Sequence, residues 1–373
     1  MKEEGNEERN GNQILLKSKI QKILINLLLL SLGVIFCLSL FEIYLRFIPL
    51  RAEHVTDLWV DNFEFQYSVH LNSDYFRDDE FHVEKAPNTF RILLIGDSFV
   101  YGAGVSTEST LDKILEKKLN SWNPPLNYEV YNLGINGTDP TQYYELAKQF
   151  QKYNPDYVIV SLYVDNDIHG HGWRNHFRFI GWKESIKESL QVLLWKKGIS
   201  DCIFLWLKDY KENADPKYYR LACEGKMNPH LLNRGKRTKD QAQYYKDLAN
   251  MFHTDDYTSN LLLNIKKTFP STPYLLLLQA SKYQVSSEYF KYLTPLGFDF
   301  PDQQLLGREI QDAVIDWAHK NSVEILDVLP AMQASQDKNF YHRIDDHYNA
   351  HGNEFVANQL AQYLENKLEF QKK

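Results

Sequence analysis

Five short apolar runs constrain this chain more than any other feature: "RILLIG" from Arg91, "YEVYNLG" from Tyr128, "DYVIVSLYV" from Asp156, "YLLLLQA" from Tyr274 and "VEILDVL" from Val323. A bounded Ile/Leu run such as Arg91 to Ile95, with no polar alternation, suits a strand buried on both faces of a sheet. Helical patterns separate the runs. "STLDKILEKKLNSW" places Leu111, Ile114, Leu115 and Leu119 on one face, and "NPPLN" then breaks the chain. "DPTQYYELAKQF" starts with Asp139 at an N-cap and Pro140 at the first helical position. Strands alternating with helices of this length predict a parallel sheet in a three-layer α/β domain. The alternation lapses from about 169 to 270, a region rich in Trp, Lys and Tyr with helical patches at "KESIKESLQVLLWKK" and "TKDQAQYYKDLANMF". That region reads as a helical insertion in one domain spanning 91–373, because the strands on either side are too few for separate sheets.

Upstream, Ile23 to Phe41 contains no charged residue and as a helix would be ~28 Å long, near the hydrocarbon thickness of a bilayer. It is longer than a usual signal-peptide core, and no small-x-small cleavage site follows. Lys17, Lys19 and Lys22 precede it, with Arg46 and Arg51 behind. The positive-inside rule then gives a cytoplasmic tail (1–22), a transmembrane helix (23–45), a juxtamembrane stem (46–90) and an extracytoplasmic (periplasmic) domain on a single-pass inner-membrane protein. The first thirteen residues are polar and lack hydrophobic periodicity, as in a disordered tail. A net charge of -7 with no basic stripe excludes nucleic acid as a partner. Three cysteines exclude a disulfide scaffold and a Cys-rich zinc site. Cys202 and Cys223 stand either as a pair, if the domain is extracytoplasmic, or as two buried thiols.

Ser98 stands just past the end of the first run, where open α/β sheets place their ligands. A serine hydroxyl needs a base, and the base needs a third group to hold its tautomer. "YHRIDDHYNAHGNEFVA" supplies His347 with Asp345 and Asp346 immediately before it, in a loop between the last strand and the last helix. A parallel sheet brings that loop to the same edge as Ser98.

With these residues in view, the sequence resembles the SGNH or GDSL hydrolases, whose four blocks supply Ser, Gly, Asn and His. "GDSFVYGAG" matches the nucleophile at Ser98, and "NLGINGTD" matches the oxyanion-hole glycine at Gly137. "NPDYVIVSLYVDNDI" matches the asparagine at Asn166, and "DDHYN" matches the base at His347. The resemblance covers roughly 91–168 and 271–365, and implies a mostly parallel, flavodoxin-like sheet and an acyl-serine mechanism without a cofactor. It implies an oxyanion hole made by the Ser98 and Gly137 amides and the Asn166 side chain, each donor worth roughly 3 kcal/mol in the transition state. Two blocks depart from the pattern. Val164 and Asp165 precede Asn166 and Asp167 where Gly-x-Asn-Asp is usual, and Ile344 occupies the usual acid position of Asp-x-x-His. The Asp-x-His spacing resembles the branch found in O-acetylation machinery of exported polysaccharides. Asp345 is taken as the orienting acid, because neighbouring side chains in an extended loop point to opposite sides and Asp346 would then point away.

Asp97, Phe99, Tyr101 and Asp167 are expected to contact substrate, with Asp97 also bracing the nucleophile loop. "NSDYFRDDEF" from Asn72 resembles a segment just upstream of the serine block in membrane-attached members, and is expected to pack beside the site. His169 and His171 read as loop residues rather than metal ligands, since no carboxylate or cysteine stands at ligand spacing. His342 and His351 likewise lack a metal pattern. Trp173, Trp182, Trp195 and Trp206 read mainly as the insertion's own core, with a sugar or acyl groove as the alternative. The expectation is a membrane-anchored serine esterase acting on O-acyl, chiefly O-acetyl, groups of a glycan, lipid or cell-envelope polymer. An O-acetyltransferase served by a membrane acyl-donor protein, and a silent glycan-binding or assembly protein, are the alternatives.

Overall fold

The computed structural model describes residues 57–122, 126–168, 215–227, 231–232, 241–296 and 305–371, and at the N-terminus 19, 21–34, 36, 37 and 40. The N-terminal residues belong to one compact unit and the sheet to another. Residues 21–34 are helical and exposed. Fourteen residues reach about 21 Å, and among the described residues no helix is long and apolar enough to cross a membrane.

In the second unit, β1 (Asp57–Asp61) and β2 (Gln66–His70) form an antiparallel hairpin. The main sheet contains β3 (Thr89–Gly96), β4 (Asn127–Gly134), β5 (Tyr157–Tyr163), β6 (Tyr274–Gln279) and β7 (Glu324–Asp327), each on one of the five apolar runs. All five are parallel, in the order β4-β3-β5-β6-β7. The central β5 and β6 are buried along their whole length, whereas the edge strand β7 is only half-buried. Strand order reverses between β3 and β5, so a crevice opens beyond their carboxyl ends.

The helices that concern the site are α1 (Ser98–Tyr101), α2 (Leu111–Ser121), α3 (Pro140–Phe150), α4 (Gln241–Thr254), α5 (Tyr257–Thr268), α6 (Lys282–Val285), α7 (Glu309–Lys320) and α8 (Ala350–Gln371). Helix α2 packs on α8, α3 on α5, and α4 on α7, giving the two layers that right-handed crossovers require on either side of the sheet. Leu111, Leu115 and Leu119 of α2 are buried. Asp139 caps α3 by accepting the Thr141 N–H at 2.7 Å, while Gln142 Oε1 accepts the Asp139 N–H at 3.0 Å.

Two sequence boundaries move. Helices α4 and α5 are part of the β5-to-β6 crossover rather than an insertion, because Tyr245, Leu248, Phe252, Leu262 and Ile265 bury themselves in the common core. Residues 57–90, read as stem, belong to the same unit as the sheet. Phe76 and Phe81 pack on Phe150 at ring separations of 5.2 and 5.6 Å, which ties this segment to α3. The patch at 183–197 lies outside the described residues.

At the end of β4, Gly134 lies against α1 so closely that a Cβ would stand 2.1 Å from the Tyr101 nitrogen and 2.6 Å from the Val100 carbonyl carbon. Neither backbone atom can step aside as a side chain would. Gly134→Ala is therefore expected to cost about 3 kcal/mol of stability, as overpacking does at rigid sites. Urea unfolding with an unshifted midpoint would disprove it.

Candidate active site

Ser98 is the first residue of α1, and the turn around it is held from three sides. The Asp97 carboxylate accepts the Phe99 N–H at 2.9 Å, and Gly102 ends the helix at φ 77°, donating its N–H to the Ser98 carbonyl at 3.1 Å. Arg77 is fully buried and donates to the Gly102, Val105 and Tyr101 carbonyls at 2.6, 2.6 and 3.2 Å. The segment from Asn72 thus packs against the turn that follows the serine. The two terminal guanidinium nitrogens and these carbonyls satisfy one another in the buried turn.

The histidine loop folds back on itself. Tyr341 and Tyr348 form an antiparallel bridge, and the His342 N–H donates to the His347 carbonyl at 3.1 Å. This brings His347 Nε2 to 2.7 Å from Ser98 Oγ and His347 Nδ1 to 2.5 Å from Asp345 Oδ1. The same Asp345 oxygen accepts the His347 backbone N–H at 3.0 Å. Asp346 turns elsewhere: its Oδ1 accepts from the Tyr283 hydroxyl and lies 3.1 Å from Lys282 Nζ.

Burial alone would push the His347 imidazole down, yet the Asp345 charge and hydrogen bond, backed by Asp97 and Asp346, carry it above its ordinary value. Burial would likewise raise Asp345, but the His347 charge and its two hydrogen bonds hold that carboxyl well below the usual range. The pair is therefore set up as an imidazole that attracts a proton beside a carboxylate that stays ionised.

Ser98 and His347 open on a cavity of about 370 Å³ that Gly137 and Asn166 also line. Gly137 adopts φ 73°, and a Cβ there would meet nothing within 4 Å. Glycine is needed for the left-handed turn rather than for lack of room. Phe99 lines the cavity with its ring 5.3 Å from His347 and 4.3 Å from Tyr163. Asn136, Tyr163 and Leu231 also reach it, without a distinguishing signal in the sequence.

Three of the expected substrate contacts are placed differently. Asp97 and Asp167 are wholly buried, and neither lines the cavity. Burial raises Asp97 to about 6, against the lowering pull of the Phe99 N–H, the His347 charge and the Asn166 side chain. Burial and the Asp97 charge push Asp167 well above the carboxylate range, while it accepts the Tyr163 N–H at 2.8 Å and the Tyr143 hydroxyl at 3.0 Å. Both fix the turns that carry Ser98 and Asn166. Tyr101 lies under the Arg77 guanidinium, 5.5 Å from its ring centre.

Among the described residues no cluster of three His, Cys, Asp or Glu side chains could hold a metal ion. His342 packs on Phe65 at 4.6 Å and burial lowers it to about 4, while His351 stacks on Phe340 at the start of α8. Cys223 is disulfide-bonded and Cys37 is free. Cys202, His169, His171, Trp173, Trp182, Trp195 and Trp206 lie outside the described residues.

No protein-family model matches the chain, and no curated protein does. Among solved structures it is similar to a two-domain esterase active on acetylated mannans, with 12% identity over 74% of this chain and 49% of that one, at a TM-score of 0.38. It is also similar to a lipase/acylhydrolase from Enterococcus faecalis, with 11% identity over 74% and 96% of the two chains and a TM-score of 0.37. A lipolytic protein of the G-D-S-L family from Veillonella parvula aligns at 11% identity over 73% and 97%, with a TM-score of 0.35. At such distances the likeness decides nothing about chemistry, which rests on the residues above.

Proposed function

We propose that the chain is a serine carboxylic-ester hydrolase of the SGNH type, held at a membrane and acting outside the cytoplasm on O-acyl, chiefly O-acetyl, groups of a glycan or envelope polymer. The observation that carries the reading is the continuous hydrogen-bonded series from Asp345 through His347 to Ser98, opening on a cavity shared with Gly137 and Asn166. Ser98 Oγ bonds the acyl carbon as His347 Nε2 takes the hydroxyl proton. The oxyanion accepts from the Ser98 and Gly137 amides and the Asn166 amide group, and His347 returns the proton to the leaving alcohol. Water then repeats the sequence on the acyl-serine and releases the acid. A 370 Å³ cavity suits a small acyl group and the carbon that bears it better than a long chain.

Membrane attachment is supported by the exposed apolar side chains of Ile23, Leu24, Leu27, Leu28, Leu30 and Phe36 in a charge-free stretch. An extracytoplasmic location is supported by the Cys223 disulfide, since such bonds persist in oxidising compartments. The detergent-solubilised full chain is expected to hydrolyse a chromogenic acetyl ester and to be labelled covalently by a serine-directed phosphonate. Ser98→Ala is expected to lose both. Equal turnover by the two proteins, with no label on either, would remove the enzyme reading.

A further inference from the structure

Asp345 and Ile344 carry four backbone hydrogen-bonding groups, and a half-buried carboxylate and a buried ammonium engage all four. On one side the Glu64 carboxylate accepts the Ile344 N–H at 2.9 and 3.1 Å and the Asp345 N–H at 2.6 Å. On the other, Lys282 Nζ donates to the Ile344 carbonyl at 2.7 Å and to the Asp345 carbonyl at 3.1 Å. Lys282 is fully buried, and its third acceptor is Asp346 Oδ1 at 3.1 Å. An ammonium has three protons to donate, so its capacity is used in full.

We propose that Glu64 is a positioning residue for the triad: with Lys282 it clamps the two peptides that aim Asp345 at His347. This rests on the acyl-serine reading above. Glu64 touches none of the reacting atoms. It sits in the tight turn between β1 and β2, where the Asn62 N–H donates to the Phe65 carbonyl at 2.9 Å and Asn62 Oδ1 accepts the Glu64 N–H at 3.0 Å. The neighbouring Phe65 ring packs on His342 in the histidine loop. The hairpin tip is thereby docked on the loop independently of the carboxylate, so shortening or neutralising Glu64 alters the clamp without releasing the hairpin. A carboxylate taking two N–H groups from consecutive peptides fixes their plane, which in turn fixes where the Asp345 side chain leaves the chain. The usefulness of that constraint is geometric, because a misplacement of about 1 Å in a catalytic group costs about 100-fold.

The test is a series at this one position. Glu64→Gln keeps the reach and one acceptor oxygen; Glu64→Asp keeps the charge but withdraws the acceptors; Glu64→Ala removes both. With the full chain and a chromogenic acetyl ester, Ala and Asp are expected to lose about 10- to 100-fold in kcat at unchanged KM, while Gln stays within about 3-fold of the parent. In proton NMR, the low-field N–H signal of the His347–Asp345 hydrogen bond is expected to persist in Gln and to shift or broaden in Asp and Ala. Should Ala fail to fold, the Asp and Gln variants decide. Parent-like kcat and signal in both Asp and Ala would overturn the proposal, as would a parent-like Asp beside a crippled Gln, which would make charge the cause rather than reach. A parent chain with no Ser98-dependent turnover would sink the function instead, and the N–H signal alone would then judge the clamp.

Discussion

His347→Ala is expected to lower kcat on a small acetyl ester by about 10⁶-fold, and adding Ser98→Ala to it is expected to cost nothing more. The reason is the 2.7 Å contact between His347 Nε2 and Ser98 Oγ. At neutral pH a serine hydroxyl without a base is barely nucleophilic, and an imidazole without the serine has no proton to take. Each residue therefore loses its use with the other, and the two losses cannot add. What survives in both variants is the contribution of the oxyanion donors and the cavity, which leaves about 10³- to 10⁴-fold over uncatalysed hydrolysis. Single-turnover kinetics on the two single variants and the double variant measure this directly. Multiplying losses would mean that His347 and Ser98 act in separate steps, contrary to the relay.

Much of the fold is legible because it follows from local pattern. Each apolar run becomes a strand, and Asp139 with Pro140 starts a helix, since burial and capping act within a few residues. Parallel strands bring loops separated by about 250 residues to one edge, which is how Ser98 and His347 meet. The stem was not legible. Apart from the short alternation at Gln66–His70, residues 57–90 show no period, and what fixes them is long-range: Phe76 and Phe81 on Phe150, Arg77 with carbonyls beyond Ser98, and Asp78 with Lys113 at 2.6 Å. Such pairs leave no periodic trace in a single sequence. Lys282 had one available sign, as a charged residue just past a fully buried strand at the carboxyl edge. Glu64 had none, because its partners are backbone groups 280 and 281 residues away.

The placement of Asp97 and Asp167 teaches a related point. A carboxylate next to a nucleophile reads equally well as a substrate contact or as a brace. Only burial separates them, and here both are closed off from the cavity. Asp97 caps the Phe99 N–H that follows it and Asp167 turns back to the Tyr163 N–H, so in each buried turn a local backbone donor, rather than substrate, takes the carboxylate.

Asp345→Asn is expected to lower kcat by about 10⁴-fold, because an amide facing Nδ1 holds the wrong tautomer and leaves Nε2 unable to accept the serine proton. Asp346→Asn should cost far less, since its carboxylate meets Lys282 and Tyr283 rather than the imidazole. The pH profile separates the two further. Only neutral His347 can act as base, so kcat/KM falls as pH drops through the imidazole pKa. In the parent that pKa is raised, chiefly by the Asp345 carboxylate acting against burial, so the acid limb lies above the position of an ordinary histidine near 6.5. Removing the Asp345 charge leaves burial dominant, and the limb of whatever activity remains moves to lower pH. In Asp346→Asn the limb shifts the same way but less, because its charge raises His347 less than those of Asp345 and Asp97 do. A large loss in Asp346→Asn beside a mild one in Asp345→Asn would transfer the orienting role to Asp346. An acid limb that moves upward in Asp345→Asn would mean that the carboxylate is not what raises the imidazole.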